Sequence, residues 1–219
     1  MDLQNKVTII TGGSGGLGMA AAKAFLAKGA RVAVFDLQEG EATALTEAHA
    51  GKVKYYETNV TSEENVATNI NQVVADFGSI DVCINCAGFG PSAKTYSSRK
   101  GPHPLDQFQN VINVNLVGTF NVLRLAVEKM STNEGEEKGV VINTASVAYM
   151  DGQKGQAAYS ASKAGIVGMT LPIARDLAEL GVRVNVIAPG LMGTPAMMAA
   201  PEDVRQGLER PVQSPPRPR

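Results

Sequence analysis

The sequence predicts an α/β fold with one domain, in which a doubly wound parallel sheet carries helices on both faces. Short apolar segments with the length of strands alternate with helical patterns along most of the chain. The strand segments are almost continuously apolar, as expected when both faces of a sheet are covered. The chain has 219 residues, of which 44% are hydrophobic and 19% charged, so one domain can bury a sizeable core.

The first strand, residues 7–10, leads into a glycine-rich turn and then an alanine-rich helix to about residue 28. Residues 11–18 read T-G-G-S-G-G-L-G, which fits both G-x-G-x-x-G and T-G-x-x-x-G-x-G. Glycines in such a turn let the backbone approach a pyrophosphate, which then faces the helix N-terminus. This β-α-β unit predicts a Rossmann-type dinucleotide site. Its expected cofactor-binding residues are Gly12, Ser14, Gly16, Leu17 and Gly18.

The second strand, residues 31–35, ends at Asp36, about 20 residues after the glycines. A carboxylate there can accept hydrogen bonds from both ribose hydroxyls of NAD and would repel the 2′-phosphate of NADP. Ser14 and Leu37 provide no cation to offset that repulsion. We therefore expect NAD as the cofactor, the alternative being that Asp36 is a simple turn residue before Gly40.

The later elements continue the alternation. The expected helices are residues 40–50, 62–77 (capped by Ser62), 105–130 and 157–180, and the expected strands are 53–58, 82–84, 140–142 and 182–187. Residues 89–104 are expected to form a polar loop. The domain is predicted to span residues 1–210, and the proline- and arginine-rich residues 211–219 to form an irregular tail, because prolines remove strand hydrogen-bond donors.

Three side chains suited to proton transfer lie between residues 146 and 163. Tyr159 and Lys163 are four apart, so they share one helix face, and Ser146 follows an apolar strand. A tyrosine has a pKa of about 10, and a nearby ammonium lowers it towards a useful general acid/base. Taken alone, the pair also fits a half-buried tyrosine and a solvated lysine.

Composition disfavours several other functions. The net charge of −1 gives no reason to expect nucleic acid as a partner, and no uninterrupted apolar run is long enough to span a bilayer. Cys83 and Cys86 form C-x-x-C, but Cys83 lies inside a strand, and His49 and His103 do not complete a metal site. We expect no metal. Two thiols without a disulfide framework and the lack of a visible leader favour the cytoplasm, with the mitochondrial matrix also open.

From about residue 5 to residue 205 the chain resembles the short-chain dehydrogenase/reductase family. The resemblance rests on the glycine motif, Asp36, the N-C-A-G run at 85–88, Asn115, Ser146, Tyr159, Lys163 and the stretch 189–194. Within the family the chain is most similar to the 3-hydroxyacyl-CoA and 17β-hydroxysteroid dehydrogenase subgroup. That similarity rests on residues 94–96, 118–122 and 152–176.

The resemblance implies a role for each matching residue. Tyr159 would be the general acid/base, Lys163 would lower its pKa and hold the nicotinamide ribose, and Ser146 would position the substrate oxygen together with Tyr159. Asn115 would hold a water that links Lys163 to solvent. The remaining cofactor contacts would come from Asn59, Val60, Asn85, Ala87, Gly88, Pro189, Gly190 and Thr194.

The resemblance further implies an NAD-dependent enzyme that interconverts a secondary alcohol and a ketone, most plainly a 3-hydroxyacyl-CoA and a 3-oxoacyl-CoA. A 3-oxoacyl-carrier-protein or hydroxysteroid-type enzyme is one alternative, and a catalytically weak NAD-binding or interaction protein is another. Family members continue with further helices and a seventh strand, so the resemblance implies that the last strand is missing here. We therefore expect a homo-oligomer weakened towards a dimer where the family forms tetramers.

Overall fold

The computed structural model describes residues 1–199 together with Glu202 and Arg205. The strands occupy the segments that the sequence predicted, with one added hairpin. They are β1 (Val7–Thr11), β2 (Arg31–Asp36), β3 (Val53–Glu57), β4 (Val82–Asn85), β5 (Tyr96–Ser97), β6 (Gly101–Pro102), β7 (Gly139–Thr144) and β8 (Val182–Ile187). The helices are α1 (Gly16–Ala27), α2 (Ala42–Ala48), α3 (Glu63–Phe77), α4 (Leu105–Ile112), α5 (Gly118–Met130), α6 (Ala157–Leu177) and α7 (Pro195–Met198).

Among the described residues, the main sheet has six strands in the order β3-β2-β1-β4-β7-β8, and all neighbours are parallel. The predicted doubly wound fold is thus confirmed. The chain reverses direction across the sheet between β1 and β4, which is where ligands bind in open parallel sheets. The carboxyl ends of β1, β2, β4 and β7 meet there, so Thr11, Asp36, Asn85 and Thr144 form one edge.

Alternate residues of each strand build two cores, one on each face of the sheet. Ile9 packs into the cluster shared with α3, α5 and α6, whereas its neighbour Ile10 packs into the cluster shared with α1 and α2. Both side chains are completely buried. A sheet covered on both faces holds its strand ends firmly, and the residues that follow those ends build the candidate site.

Two predicted segments are wrong in detail. The helix predicted over residues 105–130 is interrupted by a π-helical turn, Asn113–Val117, between α4 and α5. The polar loop 89–104 contains the two-residue strands β5 and β6, paired as a small antiparallel hairpin. The π-helical turn buries the Asn115 side chain completely, and that side chain finds its partners on other segments. Other element ends lie within three residues of their predicted positions.

The stretch Leu105–Met130 is long and apolar enough, by length and composition alone, to cross a membrane, although the sequence analysis found no uninterrupted apolar run of that length. In the structure, 44% of the 18-residue apolar part of this stretch is buried within the fold. Its second half, α5, packs on α3, β4 and β7. This is the behaviour of a core helix in a globular domain. The predicted tail, residues 211–219, and the predicted domain end at residue 210 lie outside the described residues.

Candidate active site

The glycine-rich turn after β1 is held by close backbone contacts. Gly12 has φ +62°, a conformation that favours glycine, and its N–H donates to the Phe35 carbonyl over 2.8 Å. A Cβ on Gly12 would lie 2.8 Å from the Ala87 nitrogen. The turn therefore lies between the ends of β2 and β4, and there is no room for a side chain at Gly12.

The start of α1 is open to a ligand. Gly15 is the N-cap residue, no side chain caps the helix there, and a Cβ on Gly15 would meet nothing within 4 Å. The first N–H groups of the helix are therefore available to an anion. Gly18, in the first turn of α1, lies so close to the Gly12 carbonyl that a Cβ would overlap it. These features fit the pyrophosphate of a dinucleotide.

Asp36 ties the end of β2 to the glycine-rich turn. Its carboxylate accepts hydrogen bonds from the Ser14 N–H at 3.0 Å and the Leu37 N–H at 2.8 Å. Ser14 thus contributes its backbone, while its buried hydroxyl has no hydrogen-bond partner within the protein. The Tyr55 hydroxyl donates to the Asp36 carbonyl at 3.1 Å.

The surroundings of Asp36 are negatively charged. Burial raises the pKa of Tyr55, and the carboxylates of Glu57, Asp36 and Glu39 raise it further, in that order. Glu57 is the register partner of Asp36 on β3. A phosphate group bound beside Asp36 would meet this combined negative field.

Asn59 and Val60, which the resemblance assigns to the cofactor, already make hydrogen bonds within the protein. The Asn59 amide oxygen accepts hydrogen bonds from both the N–H (3.0 Å) and the hydroxyl (2.7 Å) of Thr61, which occupies its two lone pairs. The predicted cofactor contact of Asn59 stays a prediction, and in this structure its oxygen is bonded within its own turn. Val60 is nearly buried, and its carbonyl accepts from the Asn121 amide at 2.9 Å. A cavity of about 450 Å³ does adjoin this region, lined by Leu37, Glu57, Asn59, Ser62 and Asn65.

Lys163 is buried at the end of β7. Its side chain is 4% exposed, and Nζ donates to the Thr144 carbonyl at 2.7 Å. Burial lowers the pKa of Lys163 to about 8, and the neighbouring Cys86 acts against this shift. Nζ lies 5.6 Å from the centre of the Tyr159 ring, as the spacing of four on α6 predicts.

Tyr159, on α6, and Ser146, after β7, interact through their side chains. Burial raises the pKa of the Tyr159 hydroxyl, and interaction with the Ser146 hydroxyl opposes that shift. Desolvation is the largest effect on this pKa in the structure. The lowering that the resemblance assigns to Lys163 stays a prediction. Ser146 caps the short 3₁₀ helix Val147–Tyr149, and its hydroxyl accepts from the Ala148 N–H at 3.2 Å.

These two halves, a dinucleotide turn and a tyrosine–lysine–serine group, lie on the same edge of one sheet. The family model for short chain dehydrogenases matches residues 6–205. The chain belongs to the short-chain dehydrogenase family. The match covers nearly all of the described structure and agrees with the fold and the open helix N-terminus.

Individual relatives agree. The 3-hydroxyacyl-CoA dehydrogenase type-2 of Rattus norvegicus is 49% identical over 215 residues, which cover 96% of this chain and 82% of the relative. The 3-oxoacyl-[acyl-carrier-protein] reductase of Thermotoga maritima is 36% identical, covering 94% and 82%. The crystal structure of 3-hydroxyacyl-CoA dehydrogenase type-2 from Mycobacterium avium superimposes with a TM-score of 0.89 at 34% identity, covering 97% of this chain and 83% of that one.

The loop after β8 adjoins both the glycine-rich turn and the Ser146 segment. A Cβ on Gly16 would lie 3.7 Å from the Thr194 methyl carbon, so Thr194 stands over the glycine-rich turn. The Pro189 carbonyl accepts from the Val147 N–H at 3.0 Å, which joins the segment containing Gly190 to the Ser146 segment. These predicted residues therefore lie at the site.

Residues at the end of β4 and just after it lie partly at the cleft and partly in the core. Gly88 adjoins the catalytic group, since a Cβ on it would lie 3.6 Å from Lys163 Nζ. The Ala87 N–H donates to the Thr11 hydroxyl at 3.1 Å. Asn85 was predicted to line the cofactor cleft, but its side chain is buried and donates to the Asn143 amide oxygen at 3.0 Å. Its contribution is to join β4 to β7.

Sequence reasoning missed several supporting residues of the dehydrogenase site. Thr11 accepts from two backbone N–H groups, those of Cys86 and Ala87, each at 3.1 Å. Thr144 provides the carbonyl that holds Lys163. Both threonines are the last residues of strands, and that position at the ligand-binding edge was the available signal.

Proposed function

We propose that this short-chain dehydrogenase uses NAD(H) to interconvert 3-hydroxyacyl-CoA and 3-oxoacyl-CoA substrates, with Tyr159 as general acid/base. The observation that carries the proposal is the buried Lys163 beside Tyr159, with Ser146 opposite, at the edge that also holds the open N-terminus of α1. The thioester substrate is proposed because the relatives named 3-hydroxyacyl-CoA dehydrogenase type-2 are up to 49% identical and match nearly the whole chain.

NAD is preferred over NADP in this proposal because of charge. Asp36 presents a carboxylate beside the Ser14 N–H, and Glu57 and Glu39 add to the negative field around it. Two charges about 4 Å apart interact by roughly 1 kcal/mol in water and by roughly 4 kcal/mol near a protein surface. A 2′-phosphate would therefore bind poorly, which also argues against the NADPH-dependent reductase alternative.

The chain's residues would divide the proton chemistry among them. In reduction, the neutral Tyr159 hydroxyl donates its proton to the ketone oxygen, while the Ser146 hydroxyl donates a hydrogen bond to the same oxygen. In oxidation, the Tyr159 oxygen takes the proton of the alcohol. Lys163, protonated at neutral pH with a pKa of about 8, stabilises the phenolate in either direction. The bound nicotinamide supplies or accepts the hydride.

The test is NADH oxidation with acetoacetyl-CoA by the parent chain and by Tyr159→Phe. We expect activity in the parent and a loss of roughly 10²–10⁴ in kcat in the variant, the usual contribution of a general acid. NADH binding, followed by fluorescence, should be retained because Phe preserves the ring. Activity with NADPH exceeding that with NADH would contradict the cofactor assignment. NADH binding without turnover of any CoA ester would contradict the substrate.

We also propose that the enzyme is a homo-oligomer. Val117, Phe120 and Leu171, on the helical segment 113–130 and on α6, are about half exposed although apolar. Such side chains on two neighbouring helices suit contact with a second copy. We expect a dimer by light scattering at micromolar concentration, and a stable tetramer would contradict that size.

The cytoplasm or the mitochondrial matrix remains the proposed location. Cys83 and Cys86 are both free thiols, although they stand only three residues apart in sequence. Free thiol pairs persist in reducing compartments. Fluorescence microscopy of the tagged protein would place it, and secretion would contradict the proposal.

A further inference from the structure

The Asn115 side chain grips the backbone of the loop that follows β4. Its amide oxygen accepts from the Phe89 N–H at 3.0 Å, and its amide nitrogen donates to the Phe89 carbonyl at 2.9 Å. Both backbone groups of one residue are thus held by one side chain that is completely buried. This arrangement fixes the orientation of the Phe89 peptide groups relative to the π-helical turn.

A single hydroxyl continues the connection to the catalytic helix. Ser162 is completely buried, and its Oγ accepts from the Asn115 amide nitrogen at 3.0 Å. The same hydroxyl donates to the Tyr159 carbonyl at 2.7 Å. A serine within a helix commonly bonds to a carbonyl one turn back, but here that hydroxyl also orients the Asn115 amide.

Gly90, the residue after Phe89, contacts the aromatic ring of Tyr159 directly. A Cβ on Gly90 would lie 2.6 Å from Cδ2 of Tyr159 and 3.0 Å from its Cγ. The Gly90 backbone therefore lies flat against the Tyr159 ring, in a space that no side chain can share. Phe89, held by Asn115, sets where Gly90 lies.

We propose that Ser162 and Gly90 are positioning residues for Tyr159. Ser162 holds the Asn115 amide in the orientation that clamps Phe89, and Gly90 then presses on one face of the Tyr159 ring. Together they fix the direction of the tyrosine hydroxyl towards the substrate. This inference rests on the proposed role of Tyr159 and extends it to two residues that act through Tyr159. Misplacement of a reacting group by about 1 Å can cost roughly 10²-fold in rate.

The first experiment compares Ser162→Ala with Ser160→Ala. Ser160 is a matched control because it lies on the same helix and its buried hydroxyl has no hydrogen-bond partner within the protein. We expect Ser162→Ala to lower kcat with acetoacetyl-CoA by roughly tenfold or more, with the Kd of NADH unchanged, since that loss is a fraction of what full misplacement costs. Ser160→Ala should keep the parent kcat.

A readout without catalysis is hydrogen–deuterium exchange at the Phe89 amide. In the parent this N–H is bonded to Asn115 and should exchange slowly. We expect faster exchange in Ser162→Ala and parent-like exchange in Ser160→Ala. If the parent chain turned over no substrate, the proposed function would fail, but this exchange comparison would still decide whether Ser162 holds the clamp.

Gly90→Ala tests the contact between the Gly90 backbone and the Tyr159 ring. The added methyl must displace the Tyr159 ring, so we expect a lower kcat together with a shifted pH profile of kcat/KM. Should Ser162→Ala not fold, as judged by its thermal transition, Gly90→Ala decides the proposal by the same measurement. Parent-like kcat and pH profile in Gly90→Ala, or parent-like kcat and Phe89 exchange in Ser162→Ala, would overturn it.

Discussion

The proposed cofactor half and the proposed catalytic half of this cleft are built by different means. Around the glycine-rich turn, the shape is set by backbone contacts, as between Gly12 and Ala87 or Gly18 and the Gly12 carbonyl. Around Tyr159, the shape is set by side-chain hydrogen bonds, which run through Asn115 and Ser162. A methyl group added at Gly12 or Gly18 would overlap the backbone, whereas loss of the Asn115 or Ser162 side chain would remove hydrogen bonds.

This difference has a physical origin in what each half must hold. A pyrophosphate is bound by N–H groups of a helix N-terminus, and only a bare backbone can approach it closely. Proton transfer instead requires a side chain with a perturbed pKa in a fixed direction, which burial and hydrogen bonding provide. Substitutions should therefore act by opposite means at Gly12 and Gly18, where an added methyl group does the damage, and at Asn115 and Ser162, where a lost side chain does.

The largest effect is expected from an addition in the cofactor half. In Gly18→Ala the new methyl overlaps the Gly12 carbonyl, and we expect a loss of about 1–3 kcal/mol in the free energy of unfolding, the usual range for overpacking. NADH binding should become undetectable because the turn is pushed into the cleft. Fluorescence titration and urea unfolding measure the two effects.

The matched control is Gly168→Ala. It also replaces a helical glycine, but a Cβ there would meet nothing within 4 Å. Alanine is the better helix former, so this variant should gain about 0.5–1 kcal/mol of stability. Equal and small effects of both substitutions would show that backbone approach does not define the cofactor half.

A deletion in the catalytic half should separate activity from stability. In Lys163→Met the ammonium beside Tyr159 is lost, and we expect kcat to fall by roughly 10²–10⁴, as for other losses of acid/base function. The fold should survive, because a long apolar side chain replaces one that is already 4% exposed. Steady-state kinetics with acetoacetyl-CoA check the first expectation.

Comparison of the parent with Lys163→Met should also show a pH dependence of the free energy of unfolding. Burial lowers the pKa of Lys163 from 10.5 to about 8 in the folded protein. Between these values the unfolded chain binds the proton and the folded chain does not, so the free energy of unfolding of the parent should rise with pH. Relative to Lys163→Met, the rise should reach about 2–3 kcal/mol by pH 10.5. Parallel stability curves from pH 8 to 10.5 would contradict a buried lysine.

The same contrast explains how much of the site the sequence predicted. Glycine spacing, Asp36 and the Tyr159–Lys163 pair are local patterns, and the structure brings them to one edge of the sheet. The hydrogen bonds of Asn115 could not be predicted, because its partners Phe89 and Ser162 are 26 and 47 positions away in the sequence. Periodicity predicts a helix over residues 105–130 but not the π-helical turn Asn113–Val117 within it. Likewise the side-chain partner of Asn85 is Asn143 on β7, which is 58 positions away in the sequence.

The smallest effect is expected from the charge of Asp36, which acts on the choice between NADH and NADPH and not on the shape of either half. Asp36→Asn keeps one oxygen to accept from the Ser14 or Leu37 N–H but removes the negative charge. We expect kcat/KM to fall about tenfold with NADH and to rise with NADPH, in line with roughly 1–4 kcal/mol for one removed repulsion. Glu39→Gln removes an exposed charge three positions along the chain and should shift the ratio in the same direction by less. Because exposed charges are screened, added salt should narrow the difference between the parent and Glu39→Gln. An unchanged ratio of NADH to NADPH activity in Asp36→Asn would mean that shape, and not charge, selects the cofactor.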